Sequence, residues 1–88
     1  MTRLNHLTNA AREILLVDWD PIGIRDIPQA ADEYDEYVPR IAKMLSDGTS
    51  VAELSRYLLE IETDALGLKG DPARAQQVAA RLLTITQS

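Results

Sequence analysis

Eighty-eight residues with 45% apolar and 26% charged content make a single domain over residues 1–88, small enough that stability depends on good packing. The absence of cysteine excludes disulfides and thiol chemistry, and it favours the cytoplasm over a secreted setting, as does an N-terminus without the apolar core or cleavage site of a signal peptide. A net charge of −5 disfavours nucleic acid as a partner, and the longest purely apolar run, Ile14-Leu15-Leu16-Val17, is far below the ~20 residues needed to span a membrane.

Leu4, Leu7, Ala11, Ile14 and Leu15 recur at three- and four-residue steps, which predicts an amphipathic helix from about Leu4 to Asp18 with Thr2 as its cap. Leu16 and Trp19 read as lying off that stripe. The chain then meets Trp19-Asp20-Pro21-Ile22-Gly23-Ile24. Pro21 has no N–H and a fixed φ, it pushes Asp20 out of the helical region, and Gly23 tolerates backbone angles that other residues resist. The stretch therefore predicts a corner. Ile22 and Ile24 are expected to plug it into the core, and Trp19 to bury its ring with the indole N–H on a polar partner. The functional alternative is a corner whose Trp19 edge, Asp18 and Asp20 face a partner.

A second helix is expected over about Gln29 to Ser46, with Pro28 near its start. Tyr34, Val38, Ile41 and Leu45 form one face, flanked by Tyr37, Ala42 and Met44. Asp32, Glu33, Asp35 and Glu36 would occupy its early turns, where negative charge suits the helix dipole. Pro39 either kinks this helix or divides it, and the unbroken stripe across it favours a kink. Asp47-Gly48 reads as a stop. Ser50-Val51-Ala52-Glu53 has the form of a capping box and opens a third helix to about Leu66, with Val51, Leu54, Leu58, Ile61 and Ala65 inward and Gly67 as the C-terminal cap. Gly70-Asp71-Pro72 opens a fourth helix to about Thr86, with Ala75, Val78, Ala79, Leu82 and Ile85 inward. No strand alternation or repeat is present, so the fold class is all-α, a small four-helix bundle.

The charge is uneven. Residues 18–36 carry Asp18, Asp20, Asp26, Asp32, Glu33, Asp35 and Glu36 against Arg25, a net of −6, and the rest of the chain is +1. Such a stretch would attract a basic protein surface or a cation. The carboxylates are hard ligands of the kind Ca²⁺ or Mg²⁺ takes, but Asp18-x-Asp20 lacks the remainder of an EF-hand loop, so a solvated face is the reading adopted and no metal or other cofactor is assigned. His6 is the only histidine and has no spaced partner, and Ser46, Ser50 and Ser55 have no base nearby, so no catalytic residue is assigned. Tyr34 and Tyr37 share one flank of the second helix, Tyr34 toward the core and Tyr37 at the rim. Tyrosine and tryptophan are favoured at binding hot spots, so the partner-binding set is Asp18, Trp19, Asp20, Asp32, Glu33, Asp35, Glu36 and Tyr37.

Four features together resemble the YugE-like family of small bacterial helical proteins: Trp19-Asp20-Pro21, the acidic tyrosine motif Asp32-Glu33-Tyr34-Asp35-x-Tyr37, the Leu-rich third helix and the terminal Val78-Ala79-Ala80-Arg81-Leu82-Leu83-Thr84-Ile85. The likeness spans about residues 13–86 and departs at Asp64-Ala65-Leu66-Gly67-Leu68, which lacks an aromatic residue. It implies a helical fold, and no activity, because that family is a domain of unknown function. A looser similarity is to bacterial toxin-immunity proteins. The expectation is an interaction module that binds a basic protein through residues 18–36. The alternatives are a homo-oligomeric structural unit, such as a homodimer joined through the Tyr and Leu flanks, and a carboxylate metal-binding or enzymatic protein.

Overall fold

The computed structural model describes residues 3–24, 26–30 and 32–87, with side chains from His6 to Thr86 outside the two gaps. The expected Thr2 cap and the inward side chain of Leu4 lie outside the described residues. Four α-helices are present among the described residues: α1 (Arg3–Ile14), α2 (Val38–Ser46), α3 (Val51–Glu60) and α4 (Pro72–Thr84). No strand occurs among those residues, so the chain is a small all-α bundle. Helix α1 packs along α2, α3 packs along α4, and α4 crosses back to α1. The shortest extent, 17 Å, leaves room for two layers of helix.

The helix boundaries follow local chemistry. At the start of α3 the Ser50 hydroxyl accepts from the Glu53 N–H at 3.1 Å, and the Glu53 carboxylate accepts from the Ser50 N–H at 3.4 Å. At α4 the Asp71 carboxylate accepts from the Arg74 N–H at 3.0 Å, with Pro72 in the first helical position. Helix α2 ends in a Schellman closure, with the Thr49 N–H on the Met44 carbonyl (3.1 Å) and the Gly48 N–H on that of Leu45 (3.3 Å). Gly48 has φ +84, which is why the turn needs glycine.

The second helix differs most from expectation. It begins at Val38, and Pro39 sits in its first turn, where a missing N–H breaks no helical bond. The chain before it runs through short 3₁₀ turns at Pro28–Ala30 and Asp35–Tyr37. No long helix is kinked at Pro39; the chain before it is a separate short helical turn, the alternative to a kink. The burial pattern is nevertheless as expected, with Tyr34, Val38, Ile41 and Leu45 inside. Asp32, Glu33, Asp35 and Glu36 precede the helix and do not occupy its early turns.

Two helices end in wider π turns. Leu15–Trp19 continues α1 and closes with the Asp20 N–H on the Leu15 carbonyl, and Ile61–Ala65 continues α3 and closes with the Leu66 N–H on the Ile61 carbonyl. A row of four-residue steps drifts around an α-helix, and a wider turn at its end brings the last member back toward the same face. On α1 the buried row is Leu7, Ala11, Leu15 and Trp19, so Trp19 belongs to the stripe. On α3 the row is Leu54, Leu58 and Glu62, so a carboxylate goes inward while Ala65, expected inside, is exposed.

Candidate functional site

The corner is built on a buried polar pair. Trp19 is 1% exposed and Glu62 is 0% exposed. The Trp19 indole N–H donates to Glu62 Oε2 at 2.8 Å. Glu62 Oε1 accepts from the Asp71 N–H at 2.9 Å and from Arg74 Nη2 at 3.1 Å. One carboxylate thus ties the end of α1 to the end of α3 and the start of α4. Burying a charge is tolerated here because both oxygens have donors and one donor is cationic. The Trp19 ring meets Tyr34 at 5.3 Å between centroids and Tyr37 edge-on at 6.4 Å.

Asp20 is also structural. It is the one non-glycine residue with positive φ (+35) among the described residues, and Asp tolerates that conformation through local hydrogen bonds of its side chain. Its Oδ1 accepts from the Ile24 N–H (2.7 Å) and from the Tyr34 hydroxyl (2.9 Å), while the Tyr34 oxygen accepts from the Ile22 N–H (3.2 Å). Burial drives the Tyr34 pKa well above its usual value. The Ile22 N–H opposes that rise, and the Asp20 carboxylate adds to it. Ile24 plugs the core as expected, but Ile22 is 40% exposed.

The expected partner-binding residues do not form one face. Trp19 is withdrawn from any partner by its burial. Asp20 is occupied with the turn. Asp18 turns toward α4 and pairs with Arg81 Nε at 2.7 Å, and Asp35 turns toward α1 and pairs with Arg12 Nε at 3.1 Å. Two arginines from outside the stretch thus each neutralise one carboxylate, leaving −4 of its −6. Asp26, Asp32, Glu33 and Glu36 remain exposed, and none of them is in an ion pair among the described residues.

Glu36 acts electrostatically on Tyr57 of α3 as well as on Tyr37. Burial raises the Tyr37 pKa, and nearby Glu36, Tyr57 and Glu33 raise it further. Burial also raises Tyr57; Arg40, whose guanidinium lies 5.3 Å from the Tyr57 ring centroid, opposes the rise, while Glu36 and Glu60 add to it. Half-buried Tyr37 and Tyr57 are therefore bordered by glutamates from both the corner and α3. Tyr57 and Glu60 were not singled out in the sequence because they sit far along the chain from the acidic stretch. Glu62 did leave a signal: it stands four residues after Leu58 on an apolar row, in a chain whose single indole needs an acceptor.

No group of three or more His, Asp or Glu side chains able to hold a metal occurs among the described residues. His6 is exposed. A depression of about 390 Å³ is lined by Thr8, Pro39, Ala42, Lys43, Ser46 and Asp47, where Lys43 and Asp47 form an exposed ion pair at 3.4 Å. No helix among the described residues is long and apolar enough to cross a membrane.

Comparison with protein-family models, with curated proteins and with solved structures finds no match.

Proposed function

We propose that the chain is an interaction module that docks a basic protein partner on the acidic surface of the corner, through Asp26, Asp32, Glu33 and Glu36, with Tyr37 and Tyr57 as the aromatic part of the contact. The observation that carries this reading is the division of the acidic stretch. Asp18, Asp20 and Asp35 are engaged within the fold, whereas four carboxylates stay in water with no ion pair among the described residues. Clustered like charges repel one another and work against the compact state, and they steer and orient an oppositely charged partner. Tyrosines that are already half-buried freeze few rotors on contact, which suits them to a hot spot.

The resemblance of Trp19-Asp20-Pro21 and Asp32-Glu33-Tyr34-Asp35-x-Tyr37 to the YugE-like family, and the looser one to toxin-immunity proteins, supports a bacterial module, and the absence of cysteine favours the cytoplasm. Masking of a cationic toxin would be one instance, achieved by steering and blocking without chemistry. The test is affinity capture from the native lysate at low and at high salt, in parallel with Glu33→Lys/Glu36→Lys. The expected result is a basic protein held at low salt, released at high salt and lost by the charge-reversed chain. Equal capture by both chains at both salt concentrations would remove the reading.

A further inference from the structure

We infer that Ile22 and Ile27 form the apolar part of this docking surface, so the partner segment is an amphipathic basic helix that sets large apolar side chains beside its Lys or Arg. The inference rests on the acidic-docking reading and narrows its partner. Val17, Ile22 and Ile27 are the large hydrophobic residues exposed among the described ones, at 47%, 40% and 47%, and all three lie in or beside the corner. Scattered exposed apolar residues need no explanation, but these are confined to an 11-residue span of the chain.

The turn that carries the two isoleucines is held in place. Ile24 is buried between them, and its N–H is fixed by Asp20. The Ile22 N–H is fixed by the Tyr34 hydroxyl, and the Ile27 N–H by the Ile24 carbonyl at 2.9 Å. At the root of the turn stands Asp20, with its positive φ. The turn places Ile24 inside and leaves Ile22 and Ile27 exposed.

Charge selects the occupant. Arg25 and Asp26 lie between Ile22 and Ile27 in sequence and offset each other in charge, while Asp32, Glu33 and Glu36 follow, so the complement is apolar side chains flanked by cations. A second copy fits poorly, because a two-fold contact places the same patch on both sides and would set these carboxylates against themselves. An anionic membrane fits poorly for the same reason.

The probe is a synthetic leucine–lysine peptide of helical periodicity, titrated into the full isotope-labelled chain by NMR and calorimetry. The expected result is that the Ile22 and Ile27 methyl signals shift, that Ile22→Ser/Ile27→Ser weakens binding about tenfold, and that a scrambled peptide of the same composition loses a similar factor. Tyr34→Phe, which removes one hydroxyl and leaves both isoleucines, should speed hydrogen exchange at Ile22 and weaken binding severalfold. Peptide binding that falls with Glu33→Lys/Glu36→Lys but ignores Ile22→Ser/Ile27→Ser overturns this inference and leaves the acidic docking reading standing. Binding indifferent to both pairs overturns both. A dimer in sedimentation, or capture on anionic vesicles, that the isoleucine substitutions abolish would also overturn it, by naming a different occupant.

Discussion

Removing the Glu62 carboxylate should be among the most damaging single changes in the chain. The side chain is fully buried and accepts from the Trp19 indole, the Asp71 amide and the Arg74 guanidinium. Glu62→Ala leaves those donors without their acceptor, one of them charged, and opens a void, so the expected cost is about 3–5 kcal/mol. A domain of this length has roughly 4–13 kcal/mol of stability in total, so much of it would go. Glu62→Gln keeps the shape, and its one carbonyl oxygen can serve Trp19 or the Asp71 and Arg74 side, but not both; about 1–3 kcal/mol is expected. Trp19→Phe strands one carboxylate oxygen at a similar cost of about 1–3 kcal/mol. Urea denaturation followed by far-ultraviolet circular dichroism reads all three, and the Glu62→Gln/Trp19→Phe cycle should show a coupling of about 1 kcal/mol or more. A Glu62→Ala cost under about 1 kcal/mol, or a cycle additive within about 0.3 kcal/mol, would refute the claim that this pair joins the helix ends.

Three further outcomes follow from the same geometry. The Tyr34 phenol keeps its proton in the folded chain above the ordinary tyrosine value of about 10, so its contribution is complete below pH ~10 and is lost as pH rises toward the raised folded value, by up to about 1.4 kcal/mol per pH unit; denaturation at pH 9, 10 and 11 should show a shallower alkaline loss in Tyr34→Phe than in the parent. Pro39→Ala should change stability by less than about 1 kcal/mol, because the residue lies in the first turn of α2, whereas a gain above about 2 kcal/mol in the same melts would place it inside a strained helix. Gly70→Ala should destabilise by roughly 1–2 kcal/mol, since φ is +88 and an added Cβ would lie 2.9 Å from Thr63 Cγ2 and 3.0 Å from Leu59 Cδ1; thermal unfolding with an unchanged midpoint would count against that packing.

The fold was legible where boundaries depend on neighbouring residues. Ser50 with Glu53, and Asp71 with Pro72, satisfy helix ends through contacts three residues apart, so the residue types alone mark the starts of α3 and α4. The start of α2 was hidden because burial repeats with helical spacing through Tyr34 and Val38 whether or not the backbone between them is an α-helix. The π turns are set by packing over long sequence distances, and no local pattern announces them. At the site, the excess of carboxylates was readable, but their directions were not. Arg81 lies 63 residues from Asp18, and Arg12 lies 23 from Asp35, so only the folded chain shows that these two acids are taken. Glu62 follows Leu58 by four residues, but whether that position faces inward depends on the width of the closing turn, which the sequence does not declare.

On the proposed reading, the acidic stretch is divided between residues that hold the fold and residues that meet a partner. The direct measurement is the affinity of the captured partner for two variants of identical net charge, Glu33→Gln/Glu36→Gln and Asp18→Asn/Asp35→Asn. The first pair should weaken binding about tenfold or more, and the second should leave it within about twofold, because its carboxylates are already neutralised by Arg81 and Arg12. Equal losses from both pairs would mean that only net charge matters, and the division proposed for the corner would be contradicted.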